Sequence, residues 1–120
     1  MGLGVPFSLP QPLLYKRKES EMDELLKSCK DYLRITWDDD DNLIMGYISR
    51  GKARLNRIAG AELDYTAEGL PRALLLDYVR YANSQALEAF EHNYESELLA
   101  LYLDTQADLL AENEVDDNED

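Results

Sequence analysis

Four consecutive aspartates, Asp38–Asp41, are the densest set of side chains in the sequence that could bind a cation. An EF-hand loop that began at the first of them would need glycine at its sixth position and glutamate at its twelfth. The sequence has Leu43 and Ser49 at these positions, so it does not encode such a loop. Thr36 and Asp39 instead have the spacing of a capping box, and acids in a first helical turn are favoured by the helix dipole. We therefore predict helix capping here and not a metal site.

Histidine and cysteine, the residue types that most often carry chemistry, occur once each, as His92 and Cys29. A single histidine leaves too little material for a zinc site or a histidine-based triad. A single cysteine excludes an intramolecular disulfide and fits a reducing compartment. Because Cys29 lies in an apolar stripe, we predict a buried side chain and not a reactive thiol. The sequence also lacks a glycine-rich phosphate loop and a nucleophile–base pair. We therefore expect no enzymatic activity, no catalytic residues, no cofactor and no metal.

Charge is strongly segregated along the 120 residues, whose net charge is -13. Residues 1–80 hold all 12 Lys and Arg together with 13 acids, whereas residues 81–120 hold 12 acids and no Lys or Arg. This balance argues against a broad grip on DNA or anionic lipid. The arginines Arg50, Arg54 and Arg57 recur at helical spacing beside an apolar stripe. They are candidate interface residues that could pair with acids of a neighbouring chain.

Apolar periodicity predicts an all-α fold, a compact bundle of about four helices. The first helix is expected to begin at a capping box, Ser20–Asp23. The second is expected to open with the segment Thr36–Asp41 and to end at Gly60. The third is expected to begin at Pro71 and the fourth to span Glu95–Leu110. Gly51 lies within the apolar stripe of the second helix, which predicts close approach of another backbone.

The two ends of the chain differ in composition from residues 19–111, which we predict to be the folded helical domain. Residues 1–18 contain three of the four prolines and predict an extended arm. Phe7 and Leu9 are its candidate apolar anchors for a neighbouring component. Residues 112–120 carry six acids in nine residues, which predicts a flexible acidic tail.

The predicted fourth helix is apolar nearly all round, because Leu99, Leu101 and Leu103 widen its apolar face. Such a terminal helix on a small domain predicts burial against another chain, so Leu99 and Leu101 are candidate interface residues. Its longest apolar run, Leu98–Leu103, is too short to span a bilayer. The N-terminal residues lack the basic n-region of a secretory signal. We therefore expect an intracellular chain without membrane contact.

Five runs of the sequence together resemble the head–tail connector family of tailed phages, whose members are also called adaptor or head-completion proteins. The form is similar to that of siphophages and prophages of Gram-positive hosts. The runs are Cys29–Ile44, Tyr47–Ile48, Gly51–Gly60, Gly69–Ala82 and Asn83–Leu99. The resemblance extends over about residues 22–103, and neither the proline-rich arm nor the acidic tail matches it.

This resemblance implies a small, non-enzymatic, helical virion protein that forms a dodecameric ring beneath the portal protein once DNA has been packaged. The ring would lie in the virion neck, at the head–tail interface. There it would extend the channel for double-stranded DNA without sequence-specific binding, and it would dock the stopper or tail-completion protein. Before assembly the chain would be in the host cytoplasm.

Two other functions are compatible with parts of the sequence. The net charge would suit an acidic DNA mimic that inhibits a host nuclease or DNA-binding protein. However, half of the acids after residue 80 fall in the predicted tail and not on a rigid array. A small helical DNA-binding factor that uses Arg50, Arg54 and Arg57 is a weaker alternative, because these three arginines stand beside so much acid.

Overall fold

The computed structural model describes residues 11–118, and the side chains of residues 16–113. The described residues form five helices and no strand, which confirms the all-α prediction. The helices are α1 (Gln11–Leu33), α2 (Asp41–Ala59), α3 (Leu70–Asn83), α4 (Leu87–Asn93) and α5 (Glu95–Asn118).

Helix α2 is the centre of the compact bundle and packs against α1, α3 and α5. Its apolar stripe is fully buried, as shown by Ile44, Ile48 and Leu55, each 0% exposed. Gly51 lies in this stripe, where a β-carbon would be 2.7 Å from Leu75 Cδ1 and 2.8 Å from a ring carbon of Tyr78. Both atoms belong to side chains, so the space beside Gly51 is filled by side chains of α3 and not by the backbone that the sequence predicted.

The ends of α2 and the start of α3 follow from local sequence. Gly60 adopts a left-handed conformation (φ 82°), and its N–H donates to the Asn56 carbonyl at 2.9 Å. This is the glycine stop predicted for the helix. Pro71 occupies the first turn of α3, where its missing N–H leaves no intrahelical bond unmade.

The first helix begins earlier than predicted, which corrects the boundary of the extended arm. Residues 11–18 are helical, and Ser20 lies inside α1 and not at its start. Pro12 is the second residue of this helix, a position at which proline is tolerated because no intrahelical acceptor awaits its N–H. The predicted anchors Phe7 and Leu9 lie outside the described residues.

The predicted third helix is two helices, α3 and α4, because Gln85 adopts a left-handed conformation (φ 59°). The break preserves the apolar face, since Phe90 of α4 still packs edge-to-face on Tyr78 and Tyr81, with centroid distances of 5.4 and 5.6 Å. Helical periodicity alone could not detect the break, because the short connection returns α4 to the same side of the core.

Helix α5 extends to Asn118, so the backbone of residues 112–118 is helical where an irregular tail was predicted. Glu112 and Glu114, near the start of this segment, are strong helix formers. Residues 119–120 lie outside the described part of the chain.

The aspartate run is stabilised by a lysine and not by the predicted capping box. Lys30 Nζ lies 2.6 Å from Asp38 Oδ1 and 2.8 Å from Asp41 Oδ1. Trp37 Nε1 donates to the Asp40 carboxylate at 2.9 Å. Asp40 is the N-cap residue of α2, and its side chain makes no capping hydrogen bond. These acids therefore join the end of α1 to the start of α2.

Candidate interaction surfaces

The arginine row of α2, defined as Arg50, Arg54 and Arg57, is exposed along its length. Arg54 is already paired within the chain, because its Nε and a terminal nitrogen lie 2.6 and 2.8 Å from the two carboxylate oxygens of Glu91. These hydrogen bonds raise the pKa of Arg54 and lower the pKa of Glu91. Sequence reasoning assigned Arg54 to a neighbouring chain, but its observed partner is in α4 of the same chain.

The other two arginines of the row have different surroundings. The Arg50 guanidinium lies 5.2 Å from the centroid of the Tyr47 ring, a cation–π contact that leaves its donors facing solvent. Arg57, near the end of α2, has an exposed side chain. These two side chains, unlike Arg54, make no ion pair with the described residues, so they are the candidates of this row for contact with a second molecule.

An apolar strip runs along the exposed side of α5. Its members are large apolar side chains with exposures between 44% and 63%: Leu99, Tyr102, Leu103 and Leu110. At its N-terminal end the strip borders an open groove whose lining includes Ile58, Leu98 and the two acids Glu91 and Glu95. The strip is thus an apolar surface with a negative edge, next to the helix that carries the arginine row.

The two leucines of α5 that the sequence singled out have different environments. Leu99 is 58% exposed and belongs to the apolar strip. Leu101 is 2% exposed and lies in the core of its own chain. The apolar excess of this helix therefore has two sources, one face for the core and one face left in solvent.

A second groove, the acidic groove, lies between the α2–α3 loop, the start of α3 and the C-terminal half of α5. Its volume is about 420 Å³. Leucines line it, among them Leu63, Leu70 and Leu109, and its remaining lining includes five acids and no Lys or Arg. The acids are Glu62, Asp64, Asp104, Asp108 and Glu112. Sequence reasoning missed this groove, because its two sides are separated by about forty residues of chain.

At one end of the acidic groove, local hydrogen bonds stabilise the ionised form of Asp64. The Thr66 hydroxyl donates to Asp64 Oδ1 at 2.6 Å, and the Thr66 backbone N–H donates to the same oxygen at 2.9 Å. Both bonds lower the pKa of Asp64, and the charge of Arg17 lowers it further. The Asp64 carboxylate is therefore ionised at neutral pH.

A buried arginine that sequence reasoning also missed joins α1, α3 and the loop before α3. Arg72 is 7% exposed. Its guanidinium donates to both carboxylate oxygens of Glu24 (2.7 and 3.2 Å), to Ser28 Oγ (2.6 Å) and to the Tyr65 carbonyl (2.9 Å). Because these partners are up to 48 residues apart, no local sequence pattern signals the contact.

The two residues that most suggested chemistry have structural settings. Cys29 is 1% exposed, as predicted, and burial raises the pKa of its thiol to about 12. His92 lies on the exposed side of α4. Among the described residues, no three or more His, Cys, Asp or Glu side chains are grouped so that they could hold a metal ion. None of the described helices has the length and apolar character needed to cross a membrane.

Comparison with family models, with curated proteins and with solved structures found no match to this chain.

Proposed function

We propose that this protein is a structural, non-enzymatic component of a tailed-phage neck. In this proposal, copies of the chain form a dodecameric ring between the portal protein and the stopper or tail-completion protein, at the head–tail interface. The ring extends the DNA channel and completes the packaged head for tail attachment. The sequence resemblance over about residues 22–103 motivates the proposal, and the exposed strip on α5 is the structural observation that carries it.

The apolar strip supports an assembling protein because so much of its apolar side-chain surface is left in solvent. Four large apolar side chains of one helix, each at least 44% exposed, follow one another along its length. Contiguous exposed apolar surface of this kind marks interaction sites. The first turn of the helix adds acids beside the strip, so its preferred partner is apolar and positively charged.

The arginine row of a neighbouring copy fits this description. Arg50 and Arg57 are exposed on α2, while Arg54 is neutralised by Glu91. A contact between the strip of one copy and the row of the next joins two unlike surfaces, which is the heterologous contact that generates rings. Every copy carries both surfaces, so each can contact one neighbour through its strip and another through its row.

The net charge of -13 is compatible with a channel through which DNA must move. Basic walls would bind phosphates and release counterions, which strengthens binding and hinders sliding. A ring of acidic subunits avoids this retention. The same charge would serve a DNA mimic, but a mimic has no need of an apolar strip.

The test is the assembly of the purified chain with the portal protein of the same genome, observed by electron microscopy and native mass spectrometry. We expect rings on the portal, and we expect Leu99→Asp combined with Leu103→Asp to abolish them. Ser49→Asp, at an exposed position of α2 outside the arginine row, is the matched control and should assemble normally. A chain that stays monomeric beside the portal and competes with DNA for a nuclease would instead support the DNA-mimic function.

A further inference from the structure

The acidic groove is suited to a segment that is both apolar and basic. Its leucines offer a floor for apolar side chains, while its five carboxylates have no Lys or Arg beside them among the described lining residues. Arg17 of the same chain acts on Asp64 from outside the groove lining. An uncharged partner would bring no cation to the other four carboxylates, and an acidic partner would be repelled. The charge pattern of the groove therefore selects its occupant.

The chain itself contains such a segment near its N-terminus. Lys16, Arg17 and Lys18 form its densest cluster of positive charge, and the fifteen residues before them include no charged side chain. The side chains of residues 16–20 are all exposed on α1. Arg17 makes an ion pair with Glu21 of its own helix at 3.5 Å, between side chains that are 67% and 38% exposed. Such a pair contributes little and yields readily to a better partner.

We propose that the acidic groove binds residues 7–18 of a second copy of this chain. Phe7 and Leu9 would lie against the leucine floor, and Lys16, Arg17 and Lys18 would lie along the carboxylates. The contact is a head-to-tail exchange, in which each copy offers its N-terminal segment to one neighbour and its groove to another.

The charges favour a second copy over the chain's own N-terminus. The basic residues 16–18 belong to α1 and do not line the groove of their own chain, although Arg17 lowers the pKa of Asp64 from outside it. Residues 1–10 contain no Lys or Arg, so in the groove they would bring it no positive charge. A segment from a second copy brings the apolar residues and the basic cluster together. The inference concerns two copies of this chain alone and does not depend on the proposed role in a phage neck.

Disulfide trapping with the full-length chain tests the contact directly. The native Cys29 is 1% exposed and should not form disulfides, so any disulfide can be assigned to the introduced cysteines. We mix Leu9→Cys chains with Leu109→Cys chains under mild oxidation and expect covalent dimers. The control pairs Leu9→Cys with Ala53→Cys, an exposed residue of α2 that does not line the groove, and should give none. Absence of dimers above this control overturns the proposal. So does an internal disulfide formed by the double variant Leu9→Cys/Leu109→Cys in dilute solution.

Exchanging the charges of two residues tests the electrostatic contribution to the proposed contact, with self-association measured by sedimentation. Asp108→Lys should weaken self-association by up to about fivefold, and adding Lys18→Glu in the same chain should restore it. Glu88→Lys makes the same charge change on α4, outside the groove, and should have no such effect. If Asp108→Lys and Glu88→Lys behave alike, the groove is not the binding site. Loss of ring formation on the portal with intact self-association would count against the proposed function alone.

Discussion

At the scale of single residues, Arg72 makes more side-chain hydrogen bonds than any other described residue. Its four hydrogen bonds run from α3 to α1 and to the loop before α3, and its side chain is 9% exposed. Hydrogen bonds from a charged, buried donor contribute more than those of an exposed pair, because water cannot replace them. The Glu24 side chain, in contrast, is 51% exposed, so its charge stays solvated if its partner is lost.

We expect Arg72→Ala to lower the free energy of unfolding by about 2 kcal/mol. The loss is smaller than for a fully buried pair, because the remaining Glu24 carboxylate is half in solvent. Urea denaturation measures it, with Lys27→Ala, an exposed position of α1, as the control. A loss of no more than about 0.5 kcal/mol, the usual size of a surface substitution, would show that Arg72 is dispensable.

The Arg72–Glu24 contact also predicts that the stability of the fold falls at acidic pH. Hydrogen bonds from Arg72 lower the pKa of Glu24 from its ordinary value of 4.5. The folded chain therefore binds this proton more weakly than the unfolded chain. The resulting stabilisation is present above about pH 4.5 and is lost as the pH falls through the lower, folded-state pKa. Urea midpoints measured across this range should fall less steeply for Glu24→Gln than for Glu88→Gln. Equal slopes would contradict the prediction.

At the scale of elements, the packing of α2 on α3 depends on one of the two glycines in α2. A β-carbon at Gly51 would meet Leu75, which is 0% exposed and held by the core. A β-carbon at Gly46 would meet nothing within 4 Å. The two positions share a helix and differ only in what faces them, so the same substitution separates helix propensity from interhelical packing.

We expect Gly46→Ala to stabilise the chain by up to about 1 kcal/mol, because alanine favours the helix. Gly51→Ala has the same propensity gain, but overpacking of a filled core costs about 1–3 kcal/mol. The two variants should therefore differ by about 2 kcal/mol in urea denaturation, with Gly51→Ala the less stable. Equal stabilities would mean that Leu75 and Tyr78 can move aside.

The elements that could be predicted from the sequence are those determined by residues close to one another along the chain. The fold class, the stop at Gly60 and the burial of Cys29 follow from periodicity and from single residues with strong conformational preferences. The break at Gln85 could not be predicted, because glutamine carries no signal for a left-handed conformation. The arginine row was visible as a pattern, but the Arg54–Glu91 pair and the acidic groove depend on which helices meet.

At the scale of the whole molecule, the positive and negative charges that are segregated along the sequence lie on different helices of the folded chain. Arg54 and Arg72 are satisfied within the chain, so the cations left to other molecules are fewer than the sequence suggests. Arg50 and Arg57 face outward on α2, and the acids of α5 flank its apolar strip. Opposite charges on the neighbouring helices α2 and α5 favour association in one relative orientation and oppose pairing of like surfaces.

Reversal of one charge on each surface tests this arrangement. Arg57→Glu should weaken ring assembly, because the exposed arginine meets the negative edge of a neighbour's α5 strip in the proposed ring. Glu95→Lys in the same chain should restore assembly by recreating an opposite-charge pair. Each reversal should change the association constant by up to about fivefold and should matter less at high salt. Arg54→Glu is the contrasting variant, because it breaks the pair with Glu91 and should lower the urea midpoint of the single chain. A double variant that assembles no better than Arg57→Glu alone would place the contact of Arg57 elsewhere.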